Sequence, residues 1–325
     1  MQIENLTPDR IVPDDRAFDL GFDRNYETLR RAVAEVGIVQ PLIVRRGAAE
    51  ERCRIVCGFG RARVAADLRM PRIAALALPA DASDADCLRL ALFDNLPHRQ
   101  FNPIERAIAL DKLGRHVARE ALLCDYMPLL RMQPRVEWLE RTLTLLHLDE
   151  RLKRAVAHGR IEEKVGAALA GLAGGDQEAF ARLLERCRPS VSVAREWAES
   201  LPDVARRDAR SLAAILASAE MAAILDSADT PEAERTAAMR RLIRRMRYPS
   251  VSAAEDRFAA ARAALRMPPS MRLEPAEHFE SDEMRLEIRF RDPAQLRGEV
   301  SRMESWFDDP TLLTKLWRAT LNDER

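Results

Sequence analysis

The chain has 325 residues, enough for two or three domains that each bury a core of their own. Lys and Arg together number 52, and so do Asp and Glu, so the formal net charge is zero. This balance excludes a basic footprint over the whole chain, and any contact with nucleic acid must come from a local patch. Hydrophobic residues make up 47%, charged residues 32% and aromatic residues 5%, which predicts a soluble, mostly helical protein.

The sequence pattern also excludes a membrane-spanning protein and a metal site built from closely spaced cysteines and histidines. No apolar run approaches the ~20 residues that a membrane-spanning helix needs. The N-terminus is polar from Gln2 onward, so we expect a cytoplasmic protein with no membrane partner. The five cysteines form no CxxC pair, and no histidine lies at metal-ligand spacing from them. We expect Cys53 and Cys57 to be small buried residues in a reducing compartment.

Strand and helix patterns follow one another in residues 1–100, which predicts a small mixed α/β domain. The expected strands are Gln2–Leu6, Pro41–Arg46, Cys53–Cys57 and Arg72–Leu78. The expected helices are Asn25–Val36, Gly60–Leu68 and Asp84–Leu96.

From residue 101 onward the pattern becomes almost wholly helical, and glycine and proline pairs divide it. We expect a helical domain at 101–175 and a further helical region at 176–267. Residues 268–325 then form a small α+β module, in which Met271–Leu273 and Met284–Phe290 pair as strands beside two helices. The predicted class is α+β, and the C-terminal module is the candidate dimerisation element.

The polar stretch from Leu92 to Glu105 carries the strongest chemical signal. Asp94 and Asn95 place a carboxylate beside an amide, and such hard oxygen ligands hold Mg²⁺ together with phosphates. Arg99 follows, and its planar guanidinium suits a phosphate group. Asn102 begins an Asn-Pro-Ile-Glu run that predicts a capped helix start. The alternative is that the whole stretch is only a helix end, a turn and a capped helix.

Two companion segments lie upstream, and the three together resemble one known family. We call Gly37–Arg45 (GIVQPLIVR) the first box, Gly58–Ala65 (GFGRARVA) the second box and Asp94–Glu105 (DNLPHRQFNPIE) the third box. In order and spacing they resemble the N-terminal domain of the ParB partition-protein family, which shares a fold with sulfiredoxin.

In that family the boxes form a pocket for CTP and Mg²⁺, CTP closes a clamp, and hydrolysis reopens it. The resemblance implies that Asp94 and Asn95 lie at the metal. The nucleotide-binding residues that it implies are Gln40, Gly58, Gly60, Arg61, Arg63, Asp94, Asn95 and Arg99.

The second and third boxes also depart from the family pattern. Phe59 and Gly60 replace a glutamate and an arginine, and Asp94 stands where glutamate is usual. A glycine still lets backbone N–H groups approach a phosphate, so nucleotide binding is expected and CTP hydrolysis is left open. The sulfiredoxin branch needs a cysteine in the second box. Cys57 precedes that box, so a sulfinic-acid reductase is excluded.

A helix-turn-helix domain follows the clamp in the family, and Tyr126–Leu146 occupies the corresponding place here. Arg135 and Arg141 are the candidates for base contacts and Arg131 for a phosphate contact. Arg135 and Arg141 are six residues apart on a helix, so they cannot both face base edges. Acidic neighbours leave open the alternative of a helical bundle that does not read DNA.

Three functions remain in competition. The first is a ParB-like, CTP-gated, DNA-binding homodimer that acts in plasmid or chromosome partition or in related regulation. The second is a phosphoryl-transfer enzyme on the same scaffold. The third is a degenerate family member that acts as a protein-interaction module. Salt-dependent binding to duplex DNA favours the first function, and nucleotide turnover without DNA favours the second.

Overall fold

The computed structural model describes residues 3–12, 15–47, 52–227, 229–276 and 283–320. The chain divides into two compact units, Met1–Ala198 and Glu199–Arg325. Each unit combines helices with a small sheet, so the predicted α+β class is confirmed. Within the described ranges, no helix is both long and apolar enough to cross a membrane.

The first unit begins with a mixed α/β region. Its strands are β1 (Ile3–Leu6), β2 (Leu42–Arg46), β3 (Cys53–Cys57) and β4 (Ile73–Leu78), and its helices are α1 (Glu27–Val36), α2 (Phe59–Asp67) and α3 (Asp84–Asn95). The strand order is β1-β4-β2-β3; β4 and β2 are parallel, and the two outer pairs are antiparallel. These bounds confirm the predicted elements to within two residues, and Gln2 lies outside the described residues.

Hydrophobic cores lie on both faces of this sheet. Successive residues of a strand point to opposite faces, so Ile55 belongs to one core and its neighbour Val56 to the other. The core that contains Val56 continues through Leu92 of α3 to Leu110 and Leu139. One core therefore runs across residue 100, and the domain boundary expected there stays a prediction.

Helices make up the rest of the first unit. They are α4 (Pro103–Gly114), α5 (Arg119–Ala121), a π-helical segment (Leu122–Tyr126), α6 (Met127–Leu129), α7 (Val136–Thr144), α8 (Glu150–Ala157), α9 (Glu163–Leu169), α10 (Gly174–Cys187) and α11 (Val191–Arg207), which contains the division between the units. Gly174 is the first residue of α10, so the glycine pair begins a helix, and the domain boundary expected there stays a prediction.

The second unit has helices followed by a hairpin and two more helices. Its elements are α12 (Leu212–Leu216), α13 (Ala219–Asp226), α14 (Glu232–Arg247), α15 (Pro249–Ala264), β5 (Met271–Pro275), β6 (Met284–Ile288), α16 (Pro293–Glu304) and α17 (Pro310–Thr320). The two strands pair, as predicted, and their pairing is antiparallel. Phe258 of α15 shares a core with Met271, Trp306 and Leu316, so a single core joins α15 to the C-terminal module.

Candidate functional site

The three boxes meet at one cavity of about 430 Å³ in the first unit, which is within the size range of small-molecule sites. Seven of the eight residues implied for the nucleotide line it: Gln40, Gly58, Gly60, Arg61, Asp94, Asn95 and Arg99. The eighth, Arg63, is exposed on α2 and lines two neighbouring cavities instead. Helix geometry explains the difference, since Arg61 and Arg63 are about 200° apart around the helix at ~100° per residue.

Gly58 shapes the start of α2 at the cavity wall. Its φ of 96° is in the left-handed region, where a side chain is costly. A Cβ there would also lie 2.6 Å from Leu42 Cδ2 and 3.1 Å from the Arg61 guanidinium. Gly58, Phe59 and Gly60 all line the cavity, so the first turn of α2, whose N–H groups have no partner within the helix, borders it. Such a helix start favours an anion.

Arg61 ties the first box to the second. Its Nη1 donates hydrogen bonds to the backbone oxygens of Gln40 (2.7 Å) and Pro41 (2.9 Å). Its Nη2 lies 3.9 Å from Asp94 Oδ2, which brings the third box to the same point. Burial lowers the pKa of the Arg61 guanidinium, although Asp94 opposes the shift. The side chain is therefore fixed beside a carboxylate in a poorly solvated place.

Arg99 is held on three sides within the third box. Its Nε donates to Asn95 Oδ1 at 2.8 Å, and its Nη1 donates to a carboxylate oxygen of Glu105. Its Cζ lies 4.2 Å from the centre of the Phe101 ring. Asn95 is fixed in turn, because its Nδ2 donates to the backbone oxygen of Ala91 at 2.8 Å. Rigid placement of a guanidinium reduces the entropy that binding must overcome.

Glu105 links this network to the backbone. Asn102 Oδ1 accepts from the Glu105 N–H at 2.9 Å, and Glu105 Oε2 accepts from the Asn102 N–H at 3.1 Å, so the predicted capping box is confirmed. Glu105 Oε1 also accepts from the Phe22 N–H at 3.2 Å. The carboxylate thus joins α4, Arg99 and the loop before α1.

The loop at 18–26 forms a wall that sequence reasoning missed. Phe18, Asp19, Arg24 and Tyr26 from this loop line the cavity. The Tyr26 ring packs closely on α2, since a Cβ on Gly60 would lie 2.5 Å from its Cε1. The only sequence signal was a run of polar and aromatic residues without helical or strand period between β1 and α1.

Cys57 lies at the cavity but is not a nucleophile. Burial, together with the nearby Asp94 carboxylate, raises the pKa of its thiol to about 12. The reactive form of a cysteine is the thiolate, so this thiol stays inert at neutral pH. Cys53 and Cys57 are both buried, as expected.

The implied metal ligands are close together but few. In the described part of the chain, no three His, Cys, Asp or Glu side chains are grouped around one point. Asp94 offers a carboxylate that is only loosely paired with Arg61. Asn95 Oδ1 already accepts from Arg99. This donor set fits a Mg²⁺ ion that takes most of its ligands from phosphates and water, which is the usual way that Mg²⁺ is held.

The candidate DNA-binding segment contains two helical pieces and a turn. Residues 119–129 are helical throughout, and the Met132 N–H donates to the Met127 oxygen at 2.9 Å, which ends the helix with a Schellman motif. Arg131 is the residue of positive φ in this motif, at 58°. The turn therefore uses an arginine where glycine is common, and α7 begins at Val136.

The three arginines of this segment differ in exposure. Arg131 and Arg135 are exposed, and Arg135 precedes the first residue of α7. Arg141 is half-buried, with its Cζ 4.7 Å from the centre of the Trp138 ring. The acidic neighbour Glu140 pairs with Arg119 at 2.6 Å, which neutralises part of the negative charge on α7.

A cavity that is lined by guanidinium groups and borders a helix N-terminus is typical of proteins that bind phosphorylated ligands. No family model matches the chain. The probable chromosome-partitioning protein ParB of Pseudomonas putida is 27% identical over 182 residues, which cover 54% of this chain and 60% of that protein. The nucleoid occlusion protein of Lysinibacillus sphaericus is 26% identical over 170 residues, or 52% of this chain and 53% of that protein.

A crystal structure of C-terminally truncated ParB from Caulobacter crescentus, complexed to the centromeric parS site, aligns with 60% of this chain at 17% identity and a TM-score of 0.34. The chain spans 60% or less of the length of the two curated relatives described above. Over about half of its own length the chain is similar to curated ParB proteins, the family that the three boxes resemble.

Proposed function

We propose that the chain is a CTP-gated DNA-binding protein of the ParB type, acting in plasmid or chromosome partition or in related regulation. The single observation that carries the proposal is the meeting of all three boxes at one cavity. Relatives named as partition and nucleoid occlusion proteins support the same assignment.

Each part of the site has a role in this proposal. Arg61 and Arg99 contact the phosphates, and the first turn of α2 offers N–H groups to them. Asp94 holds Mg²⁺, which the phosphates also bind. Asn95 acts mainly by orienting Arg99, and its metal role stays a prediction. The choice of CTP rests on the family resemblance.

A thermal-shift panel of CTP, UTP, ATP and GTP with Mg²⁺ tests the proposal, because a ligand that binds only the native state raises its melting temperature. We expect CTP to give the largest rise. Asn95→Ala and Arg99→Ala should each weaken binding at least tenfold, since a charge-assisted hydrogen bond contributes ~1.5–3 kcal/mol. Arg115→Ala, which removes an exposed pair with Asp111 on α4, is the control and should bind like wild type.

Duplex binding is the second half of the proposal. Arg135 is the better candidate for a base contact, because it lies exposed at the N-terminal end of α7. Arg131→Ala should weaken binding evenly across sequences and lower the salt slope by about one, and Arg135→Ala should lower specificity. Fluorescence polarisation at low salt with CTP present measures both. Absence of binding at tens of micromolar would favour the protein-interaction alternative. Nucleotide turnover without any DNA effect would favour phosphoryl transfer.

Homodimerisation through the second unit completes the proposal. Phe290, Phe307 and Trp317 are all at least half exposed there, and large exposed aromatic side chains are typical of interfaces. Sedimentation equilibrium of the full chain should give a dimer, and Phe307→Asp should shift it toward monomer. A wild-type monomer at tens of micromolar would contradict this part.

A further inference from the structure

The guanidinium of Arg24 at the cavity has no acidic partner in the part of the chain that the structure describes. Arg24 lies in the loop before α1, is exposed, and lines the cavity of the three boxes. Its Cζ lies 5.7 Å from the centre of the Tyr26 ring. No carboxylate pairs with it in the described ranges 3–12, 15–47, 52–227, 229–276 and 283–320. A cation held over an aromatic face but left without a counter-ion is available to an anion.

The other cations of the cavity are already engaged. Arg61 donates to two backbone oxygens, and Arg99 donates to Asn95 and Glu105. The acids near Arg24 in sequence have other partners: Asp23 contacts His158 and Arg154, Glu27 pairs with Arg30 and Arg31, and Asp19 pairs with Arg16 at 2.6 Å. The positive charge of Arg24 is therefore not balanced locally.

Arg24 and Arg99 also repel one another. Burial is the main cause that lowers the pKa of Arg99, and the charge of Arg24 lowers it further, while Glu105 opposes the shift. An anion placed between the two guanidinium groups would remove this repulsion and gain two charge-assisted contacts. A polyphosphate is the anion that suits a cavity already bordered by Arg61 and the start of α2.

The loop holds Arg24 from both sides. Asp23 Oδ2 lies 2.7 Å from His158 Nε2, and Asp23 Oδ1 lies 3.6 Å from Arg154 Nε, so α8 fixes the residue before it. Tyr26 packs against Gly60 of α2 and fixes the residue two positions after it. An arginine with both flanks anchored loses less freedom when it binds a ligand.

From this geometry we infer that Arg24 contacts the polyphosphate of the bound nucleotide and is a main determinant of preference for a triphosphate over a monophosphate. The inference rests on the proposed nucleotide function. It gives the cavity a phosphate contact from outside the three boxes, in addition to Arg61 of the second box and Arg99 of the third.

Isothermal titration of the full chain with Mg·CTP, CMP and inorganic tripolyphosphate tests the inference. Wild type, Arg24→Ala and Arg24→Lys are compared with Arg31→Ala, which removes an exposed side chain of α1 that pairs with Glu27 and lies outside the cavity. We expect Arg24→Ala to weaken Mg·CTP and tripolyphosphate at least tenfold while CMP changes less than twofold. Arg24→Lys should fall between, because it keeps the charge and loses the planar fork.

The outcomes separate this inference from the proposed function. If wild type binds Mg·CTP and Arg24→Ala binds it equally well, the role of Arg24 is refuted and the proposed function stands. An equal loss of CMP and Mg·CTP would refute the phosphate role, because it assigns Arg24 to the nucleoside. If wild type binds neither Mg·CTP nor tripolyphosphate, both the proposed function and the inference fail. Circular dichroism melts of the variants identify any loss of folding.

Discussion

Replacement of Glu105 with alanine should destabilise the first unit and disorder the cavity. The Glu105 side chain is only 3% exposed and that of its partner Arg99 only 14% exposed. The carboxylate accepts from Arg99 Nη1 and from the backbone N–H groups of Asn102 and Phe22. Alanine leaves all three donors without this partner and leaves a guanidinium poorly solvated.

The magnitude follows from the burial of this pair. Removing one partner of a buried ion pair typically costs about 3–5 kcal/mol, because the remaining charge stays desolvated. Each kcal/mol lowers the melting temperature of a domain of 150–250 residues by about 2–4 °C, so Glu105→Ala should lower it by roughly 6–20 °C. Glu105→Gln keeps an acceptor and the shape and should cost less, about 1–3 kcal/mol.

Thermal and urea unfolding followed by circular dichroism measure the change. Asp111→Ala on the same helix is the matched control, because its pair with Arg115 is exposed and should contribute less than about 0.5 kcal/mol. Titration with Mg·CTP should also weaken for Glu105→Ala, since Arg99 loses the contact that orients it. A melting temperature within about 2 °C of wild type would refute the buried-pair reasoning.

Three further predictions concern packing, thiol chemistry and the turn before α7. Gly60→Ala should lower the free energy of unfolding, measured in urea, by about 1–3 kcal/mol, because the new Cβ would lie 2.5 Å from the Tyr26 ring. In a Tyr26→Ala background the same change should lower it by less than half as much, and equal losses would contradict this contact. Alkylation of native protein at pH 8 should label the exposed Cys124 and leave Cys57 unmodified, because the thiol pKa of about 12 keeps Cys57 protonated; early mass-spectrometric labelling of Cys57 would contradict its burial. Arg131→Gly should raise the free energy of unfolding by up to about 1 kcal/mol, since the position has a φ of 58°, which favours glycine. The same change should weaken duplex binding as Arg131→Ala does. A loss of stability would show that the arginine side chain has a structural role.

The sequence by itself determined the features that depend on neighbouring residues. The capping box of Asn102 and Glu105 joins residues three apart through hydrogen bonds that any helix start requires. The strands and helices of the first hundred residues follow from apolar periodicity, because an element with one buried face has apolar residues at regular intervals along its sequence. The resemblance of the three boxes implied eight nucleotide-binding residues, and seven of them line the cavity.

Tertiary structure alone decided which of these groups meet, and how each is held. Nothing local indicated that Glu105 would also reach Phe22 across 83 residues, or that Arg24 would lie over the Tyr26 ring with no carboxylate partner among the residues that the structure describes. The loop at 18–26 has no periodicity, so its position follows from its contacts with α2, α4 and α8. Packing also decided that the side of α2 that carries Arg61 faces the cavity, which leaves Arg63, about 200° away around the helix, outside it. A motif therefore specified residue types, whereas long-range contacts, which leave no pattern in a single sequence, set their geometry.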